Sequence, residues 1–344
     1  MTTAIRKPLK LAVIGAGAWG TALAIHLSRA GHQVNLWTHS EQQAALLKLE
    51  GANSKYLAGI PFPDGLNVSS CLKESLHQVD GILVVVPSHV FRETLMQISA
   101  LMPTNRIVHF AWATKGFEPE TALMLHQVVQ QVLGDAQPMA VLTGPTFADE
   151  VAKALPTAMV SSSETEQEAK FWADAFHHDN FRMYTQQDMV GVEIGGAYKN
   201  IMAIATGLSD GLCLGANARA ALIARGMAEM MRLGQALGGQ PETFMGLAGL
   251  GDLVLTCTDD LSRNRRFGLR LAQSKGTIDE VVTSIGQVVE GVKAVKVVKQ
   301  IADRYNLDLP IMEQVYRIVV GECSPQEAVL ELMARDGRSE AESP

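Results

Sequence analysis

A glycine-rich turn near the N-terminus constrains the fold more than any other feature. The residues Gly15–Gly20 read GAGAWG, between a strand predicted at 9–14 and a helix predicted at 21–29; a second strand is predicted at 33–38. In such a βαβ unit the glycines permit a tight turn, close approach to a pyrophosphate and close packing of helix on strand. The alternative is a glycine-rich turn without a ligand. The dinucleotide-binding interpretation assigns these roles to Gly15, Gly17 and Gly20.

The rest of the first half alternates strand-like and helix-like segments. Such alternation predicts a doubly wound parallel sheet with helices on both faces, the Rossmann type of fold. From Asp188 onward, Ala, Met, Leu and Gly replace the β-branched runs, which predicts an all-helical second half. Further strands are predicted at 81–86, 106–111, 139–142 and 157–161. The expected parts are a dinucleotide-binding domain at 1–188, an all-helical substrate domain at 189–335 and a flexible tail at 336–344.

Composition excludes several classes of function. The net charge of −7 gives no general attraction for nucleic acid or an anionic membrane. The four cysteines form no C-x-x-C pair and the histidines no H-x-x-x-H pair, so we expect no disulfide framework and no metal site. Basic residues before the apolar run 11–27 resemble a signal peptide, but the glycine turn within that run favours a folded domain. No membrane insertion is expected.

The end of the second strand bears on the choice of dinucleotide. An NAD-specific site usually places Asp or Glu there, whereas this chain has Trp37-Thr38-His39-Ser40. Without a carboxylate to repel a 2′-phosphate, NAD or NADP is admissible as the cofactor. Glu41 is the alternative ribose acid.

Two motifs follow later strands of the first half. In Ala113-Thr114-Lys115-Gly116, Lys115 is expected at the carboxyl edge of the sheet, where ligands bind. An ordinary surface lysine is the alternative. In Thr143-Gly144-Pro145-Thr146, the hydroxyl of Thr146 is available either to a ligand or as a helix cap.

The segment GVEIGGAYKN opens the helical half. On a helix, Gly191, Gly195 and Lys199 share one face, so we expect something to approach that face closely with an ammonium at its centre. Helix packing alone would explain the glycines but not the lysine. Each interior glycine costs roughly 1 kcal/mol relative to alanine, which favours a requirement for close approach.

A second glycine cluster, GLAGLGD at 246–252, does not follow a strand. We expect it to present the Asp252 carboxylate on a tight loop. The run 262–266, SRNRR, then offers the guanidinium of Arg263 and the amide of Asn264 to a phosphate, although a solvated basic turn is the alternative.

Together these stretches resemble the bacterial NAD(P)-dependent sn-glycerol-3-phosphate dehydrogenases. The resemblance covers nearly the whole chain and is carried by VIGAGAWGTA, LVVVPSHVF, ATKG, LTGPTFA, GGAYKN, GANARAALI, GLGDLVLTCT, SRNRRFG and VVEG. It implies reversible oxidation of sn-glycerol 3-phosphate to dihydroxyacetone phosphate, run mainly in reverse to supply glycerophospholipid synthesis. It also implies a C-terminal domain of the 6-phosphogluconate dehydrogenase type. A cytoplasmic homodimer is expected.

The resemblance implies roles for individual residues. The general acid/base matches Lys199, assisted by Lys115 and Asp252. The family's substrate contacts match Lys115, Gly144, Thr146, Lys199, Asp252, Ser262, Arg263 and Asn264. Its cofactor contacts match Ala18, Trp19, His39, Lys115, Ala148, Arg263, Val288 and Glu290. Other members carry Tyr or Phe at the position of Trp19, so the resemblance implies a stacking role for its indole without fixing the geometry of the contact.

Two other functions fit parts of the pattern. A β-hydroxyacid dehydrogenase of the 6-phosphogluconate type also uses a lysine on a helix, but it usually has a serine-glycine loop in place of ATKG. A catalytically silent dinucleotide sensor would be expected to lack Lys199 or Asp252, and this chain retains both.

Overall fold

The computed structural model describes residues 7–103, 106–274, 276–286 and 288–335. The predicted flexible tail, 336–344, lies outside the described residues. The chain divides into two compact units. The sheet unit runs to Thr114 and includes Leu125–Met189, whereas the helical unit comprises Lys115–Met124 and the chain from Val190 onward.

An eight-stranded sheet organises the sheet unit, in the order β3-β2-β1-β4-β5-β6-β7-β8. Its strands are β1 (Lys10–Ile14), β2 (Gln33–Trp37), β3 (Leu66–Ser69), β4 (Gly81–Val84), β5 (His109–Trp112), β6 (Met139–Thr143), β7 (Thr157–Ser162) and β8 (Phe181–Gln186). The central strands β1, β4 and β6 are buried almost throughout, as expected when helices cover both faces. The predicted βαβ unit is confirmed, with Leu11 paired to Val34 in the β1–β2 register.

The sheet departs from the prediction at one pair and at its edges. All neighbouring strands are parallel except β6 and β7, which are antiparallel. The helix between them, Ala148–Ala152, spans about 7 Å, too little to return along a strand of about 17 Å for a parallel crossover. The edge strands β3 and β8 were not predicted, because β3 has four residues and β8 is largely exposed.

Helices of the sheet unit bury apolar stripes. In the helix that follows β4, Phe91, Leu95 and Ile98 recur at helical spacing and are buried. The helices are α1 (Ala18–Arg29), α2 (Glu41–Glu50), α3 (Leu72–Ser75), α4 (Phe91–Ser99), α5 (Leu125–Leu133), α6 (Ala148–Ala152) and α7 (Glu166–Phe176).

The described part of the chain from Met189 onward contains helices and no strand, as predicted. Its helices are α8 (Met189–Gly211), α9 (Gly215–Ala236), α10 (Pro241–Phe244), α11 (Asp252–Thr258), α12 (Arg263–Gln273), α13 (Ile278–Ile285), α14 (Glu290–Tyr305), α15 (Pro310–Val319) and α16 (Pro325–Met333). A π-helical turn, Leu247–Gly251, precedes α11. The central part of α8 is buried on all sides and forms the middle of this unit's core.

None of the described helices combines the length and the apolar character needed to cross a lipid bilayer. All four cysteines are free thiols, with Cys257 buried in the helical unit.

Candidate active site

The glycine turn of the sheet unit forms an open cradle at the start of α1. Gly15 has φ +120°, and a Cβ there would lie 2.4 Å from the carbonyl oxygen of Val85. A Cβ on Gly20 would lie 1.9 Å from the carbonyl oxygen of Gly15, so both positions require glycine. Gly17 caps α1 without a side-chain bond, and nothing lies within 4 Å of where its Cβ would be. The N-terminal amides of α1 therefore face open space that suits a pyrophosphate.

The other predicted cofactor residues of the sheet unit lie on accessible surface. Trp19 and Ala18 are partly exposed in the first turn of α1. The indole nitrogen of Trp19 is buried, with no hydrogen-bond partner among the described residues. His39 and Glu41 are both exposed where α2 begins.

The Gly144–Ala148 segment follows β6. Gly144 has φ +154°, and a Cβ there would lie 2.9 Å from the carbonyl oxygen of Ala158. The hydroxyl of Thr146 donates to the carbonyl of Gly144 at 3.2 Å. Phe147 is the N-cap of α6 and makes no side-chain bond, so the helix-cap interpretation of Thr146 is wrong. Thr146 and Ala148 are half-buried.

The helical unit holds a cluster of two lysines and one carboxylate, in which Lys115 is half-buried and the other two residues are buried. Asp252 is fully buried, and its Oδ1 accepts a hydrogen bond from Nζ of Lys199, which is 5% exposed. The other oxygen, Oδ2, lies 2.9 Å from Nζ of Lys115. The hydroxyl of Thr256 adds a bond to the Asp252 carbonyl at 2.6 Å. When both lysines are protonated, this cluster carries one net positive charge, which suits a reacting group that becomes negative.

Glycines bring Asp252 to Lys199. A Cβ on Gly195 would lie 2.4 Å from the carbonyl oxygen of Ala248, so the π-helical turn packs directly on the backbone of α8. This is the close approach that the glycine face of α8 predicts. The predicted tight loop is wrong, because Gly251 N donates to Gly246 O at 3.1 Å in a π-type bond that leads into α11. Asp252 is therefore the first residue of a helix.

The two lysines of the cluster differ in proton affinity. Burial lowers the pKa of Lys199 from 10.5 to about 7; the Asp252 carboxylate opposes this shift and the Lys115 ammonium adds to it. Burial also disfavours the charge on Lys115, but attraction to Asp252 and Glu290 and hydrogen bonds to Lys199 and Asp252 together outweigh that effect and raise its pKa. Lys115 thus stays an ammonium at neutral pH, whereas Lys199 can gain or lose a proton.

The predicted phosphate residues lie at the start of α12. The hydroxyl of Ser262 is the N-cap and accepts from Arg265 N at 3.3 Å. Arg263 is half-buried. Asn264 is buried, and its Oδ1 accepts from Gly291 N at 2.9 Å. Arg265 is a buried ion-pair partner of Asp210 at 2.5 Å, so the basic run is not simply a solvated turn.

Asn200 is a residue of this region that the sequence did not single out. Its side-chain oxygen accepts a hydrogen bond from Nδ2 of Asn264 at 2.8 Å. The available signal was its position next to Lys199 in GGAYKN. Val288 is exposed and Glu290 half-buried, both at the start of α14. Over the described residues, no group of three or more His, Cys, Asp or Glu side chains is arranged to hold a metal ion.

Comparison with known proteins identifies the family. A family model described as NAD-dependent glycerol-3-phosphate dehydrogenase N-terminus matches residues 10–169. A second, described as NAD-dependent glycerol-3-phosphate dehydrogenase C-terminus, matches 188–330. The chain belongs to the NAD-dependent glycerol-3-phosphate dehydrogenase family. The 6-phosphogluconate-type alternative is thereby set aside.

Members of the glycerol-3-phosphate dehydrogenase family match this chain over nearly its full length. Glycerol-3-phosphate dehydrogenase [NAD(P)+] of Hydrogenovibrio crunogenus is 68% identical over 99% of each chain. The protein of that name from Pseudoalteromonas translucida is 50% identical over 95% of this chain and 97% of its own. The crystal structure of glycerol-3-phosphate dehydrogenase from Coxiella burnetii is similar with a TM-score of 0.91 and 46% identity, covering 95% of this chain and 99% of that one.

This family member is accordingly an NAD(P)-dependent oxidoreductase of the glycerol-3-phosphate dehydrogenase type. Its sheet unit has the Rossmann-type sheet expected for the dinucleotide.

Proposed function

We propose that the protein interconverts sn-glycerol 3-phosphate and dihydroxyacetone phosphate with Lys199 as the general acid/base. In the cell it works mainly in the reductive direction, as a cytoplasmic homodimer that supplies glycerophospholipid synthesis. The observation that supports this role for Lys199 most directly is the Lys199–Asp252–Lys115 cluster, in which the pKa of the buried Lys199 is lowered to about 7.

Lys199 moves the proton in both directions. The nicotinamide, when bound, supplies or accepts the hydride. During reduction the Lys199 ammonium donates a proton to the oxygen of the substrate's carbonyl group as negative charge develops there. During oxidation its neutral amine removes the proton from the hydroxyl group. A pKa of about 7 makes both protonation states accessible near neutral pH.

Lys115 and Asp252 assist without exchanging the proton. The ammonium of Lys115 stabilises negative charge on the substrate oxygen. The fully buried carboxylate of Asp252 binds both lysines and holds Lys199 in one orientation. Repulsion from the Lys115 ammonium favours release of the proton from Lys199, and attraction to the Asp252 carboxylate favours its return.

The substrate phosphate is held by groups at the start of α12. A guanidinium offers several donors in a fixed plane, which suits Arg263 for the phosphate oxygens. Asn264 donates one amide hydrogen to Asn200, and we assign its other amide hydrogen to the phosphate. The remaining proposed substrate contacts are Gly144, Thr146 and Ser262. Holding the phosphate places the carbonyl for reaction.

The proposed cofactor contacts follow the resemblance of the sequence to the family. The open N-terminus of α1 and the partly exposed Trp19 support this assignment. In the sheet unit the contacts are Gly15, Gly17, Ala18, Trp19, Gly20, His39 and Ala148. In the helical unit they are Lys115, Arg263, Val288 and Glu290. We retain 1–188 and 189–335 as the proposed domain bounds.

One assay tests the reaction. Purified protein is expected to oxidise NADH or NADPH when dihydroxyacetone phosphate is added, and running both cofactors measures the preference between them. Lys199→Ala should lower the rate by about two to four orders of magnitude while cofactor binding, measured by fluorescence, is retained. The control is Lys170→Ala, which changes an exposed lysine of α7. A wild-type rate equal to the blank without substrate would overturn the assignment.

A further inference from the structure

A second buried carboxylate lies in the helical unit and takes no part in the chemistry described above. Glu229, on α9, is 3% exposed. Its Oε1 accepts from Ile311 N at 2.7 Å, and its Oε2 accepts from Met312 N at 3.1 Å and from the hydroxyl of Tyr198 at 2.6 Å. A carboxylate removed from water is costly unless such donors replace its hydration, so this site is built around the Glu229 oxygens.

Two of the three bonds to Glu229 have a structural purpose. Helix α15 begins at Pro310, and its N-cap, Leu309, has no side chain able to accept a hydrogen bond. The amides of Ile311 and Met312 are among those that a helix leaves unsatisfied at its start. Glu229 accepts from both and places negative charge at the positive end of α15. This capping role does not require the hydroxyl of Tyr198.

The third bond reaches the residue beside Lys199. The segment before Lys199 contains Gly191, Gly195 and Gly196, and glycine weakens the interior of a helix. Gly195 is needed for the close approach of the π-helical turn, so it cannot be exchanged for a stiffer residue. The position and the rotation of this part of α8 must therefore be fixed by contacts with the neighbouring helices.

Anchors flank Lys199 on both sides in the chain. Tyr198 is bonded to Glu229 of α9, and Asn200 to Asn264 of α12. Successive helical residues point about 100° apart, so these anchors and the Lys199–Asp252 bond restrain α8 in three directions. Tyr198 is fully buried, and its ring packs in the core of the helical unit.

We propose that Tyr198 and Glu229 are positioning residues for proton transfer: their hydrogen bond fixes the rotation of α8 and thereby the ammonium of Lys199. The inference rests on the proposed role of Lys199. Capping of α15 explains Glu229 but not the buried hydroxyl of Tyr198, for which orientation of α8 supplies the reason.

Tyr198→Phe tests the inference, because it removes one hydroxyl and keeps the ring. We expect kcat for dihydroxyacetone phosphate reduction to fall about tenfold, since small misplacements of a reacting group are costly. The KM for NADH should stay unchanged, and the solvent deuterium isotope effect on kcat should rise as proton transfer becomes slower. Tyr316→Phe, on α15, is the matched control and should leave all three quantities unchanged.

A double-mutant cycle identifies the bond itself. The double variant Tyr198→Phe/Glu229→Gln should lose less activity than the product of the losses measured in Tyr198→Phe and in Glu229→Gln. Should Glu229→Gln fail to fold, the single Tyr198→Phe measurements still decide. If Tyr198→Phe keeps the wild-type kcat and isotope effect while Lys199→Ala has lost its activity, the positioning role of Tyr198 and Glu229 is overturned and the proposed role of Lys199 is not. An active Lys199→Ala would overturn the proposed role of Lys199, and this inference with it.

Discussion

At the scale of single residues, the properties of Lys199 depend on its two neighbours. One carboxylate is shared by two lysines, so protonation of Lys115 makes protonation of Lys199 harder. Burial acts in the same direction and is the larger effect on the pKa of Lys199. A lysine in an ordinary surface position would be an ammonium at neutral pH and a poor base.

This arrangement predicts the pH dependence of the reaction. Oxidation of sn-glycerol 3-phosphate needs neutral Lys199, so kcat/KM should rise with pH through about 7 and then level off. Lys115→Met removes the cation that helps to lower the pKa of Lys199, so this rise should move to higher pH. The measurement is a pair of pH profiles, with Lys153→Met as the exposed control. An unchanged midpoint in Lys115→Met would contradict the proposed coupling.

At the scale of elements, α8 and the π-helical turn act as one unit. A Cβ on Gly195 has no room at 2.4 Å from the Ala248 carbonyl, so Gly195→Ala must push the turn, and Asp252 after it, away from Lys199. We expect a loss of about 1–3 kcal/mol in the free energy of unfolding and of about 100-fold in kcat. Urea denaturation and steady-state kinetics measure the two effects.

The control for this variant is Gly246→Ala at the start of the same turn. A Cβ there would have only the Thr243 carbonyl oxygen nearby, at 3.4 Å, and the φ of −92° suits alanine. Activity and stability should therefore stay close to those of the native protein. Equal losses in both variants would show that the turn, rather than its approach to α8, is sensitive to substitution.

The elements that were predictable are those with a local signal. Periodicity and the glycine turn predicted the βαβ unit, and the glycine face of α8 predicted a close approach beside Lys199. The antiparallel β6–β7 pair was missed because strand direction depends on how the connection crosses the sheet. Glu229 was missed because the amides that it caps lie about eighty residues further along the chain.

At the scale of the whole molecule, each unit has its own hydrophobic core, so a local change in one core need not affect both units equally. In the sheet unit, His26 is buried, and its Nε2 lies 2.7 Å from the Phe176 carbonyl oxygen. Desolvation lowers the pKa of His26 from 6.5 to about 4, although the bond to Phe176 opposes the shift. Below neutral pH the unfolded chain therefore binds a proton at His26 more readily than the folded chain does.

The consequence is a loss of stability in acid that originates in the sheet unit. Because the folded pKa lies below the unfolded value, the loss develops as pH falls from 6.5 to about 4 and reaches about 3 kcal/mol. The lowered pKa of Lys199 changes the stability only between pH 10.5 and about pH 7, so it does not contribute to the loss of stability in acid. The variant His26→Gln keeps a donor for the Phe176 carbonyl, and its side chain does not titrate. Between about pH 7 and pH 4.5, the melting temperature of this variant should therefore fall less than that of the native protein. Calorimetry at both pH values measures the melting temperatures, and His77→Gln, which changes an exposed histidine, is the control. Equal falls in melting temperature in the native protein and both variants would exclude His26 as the source.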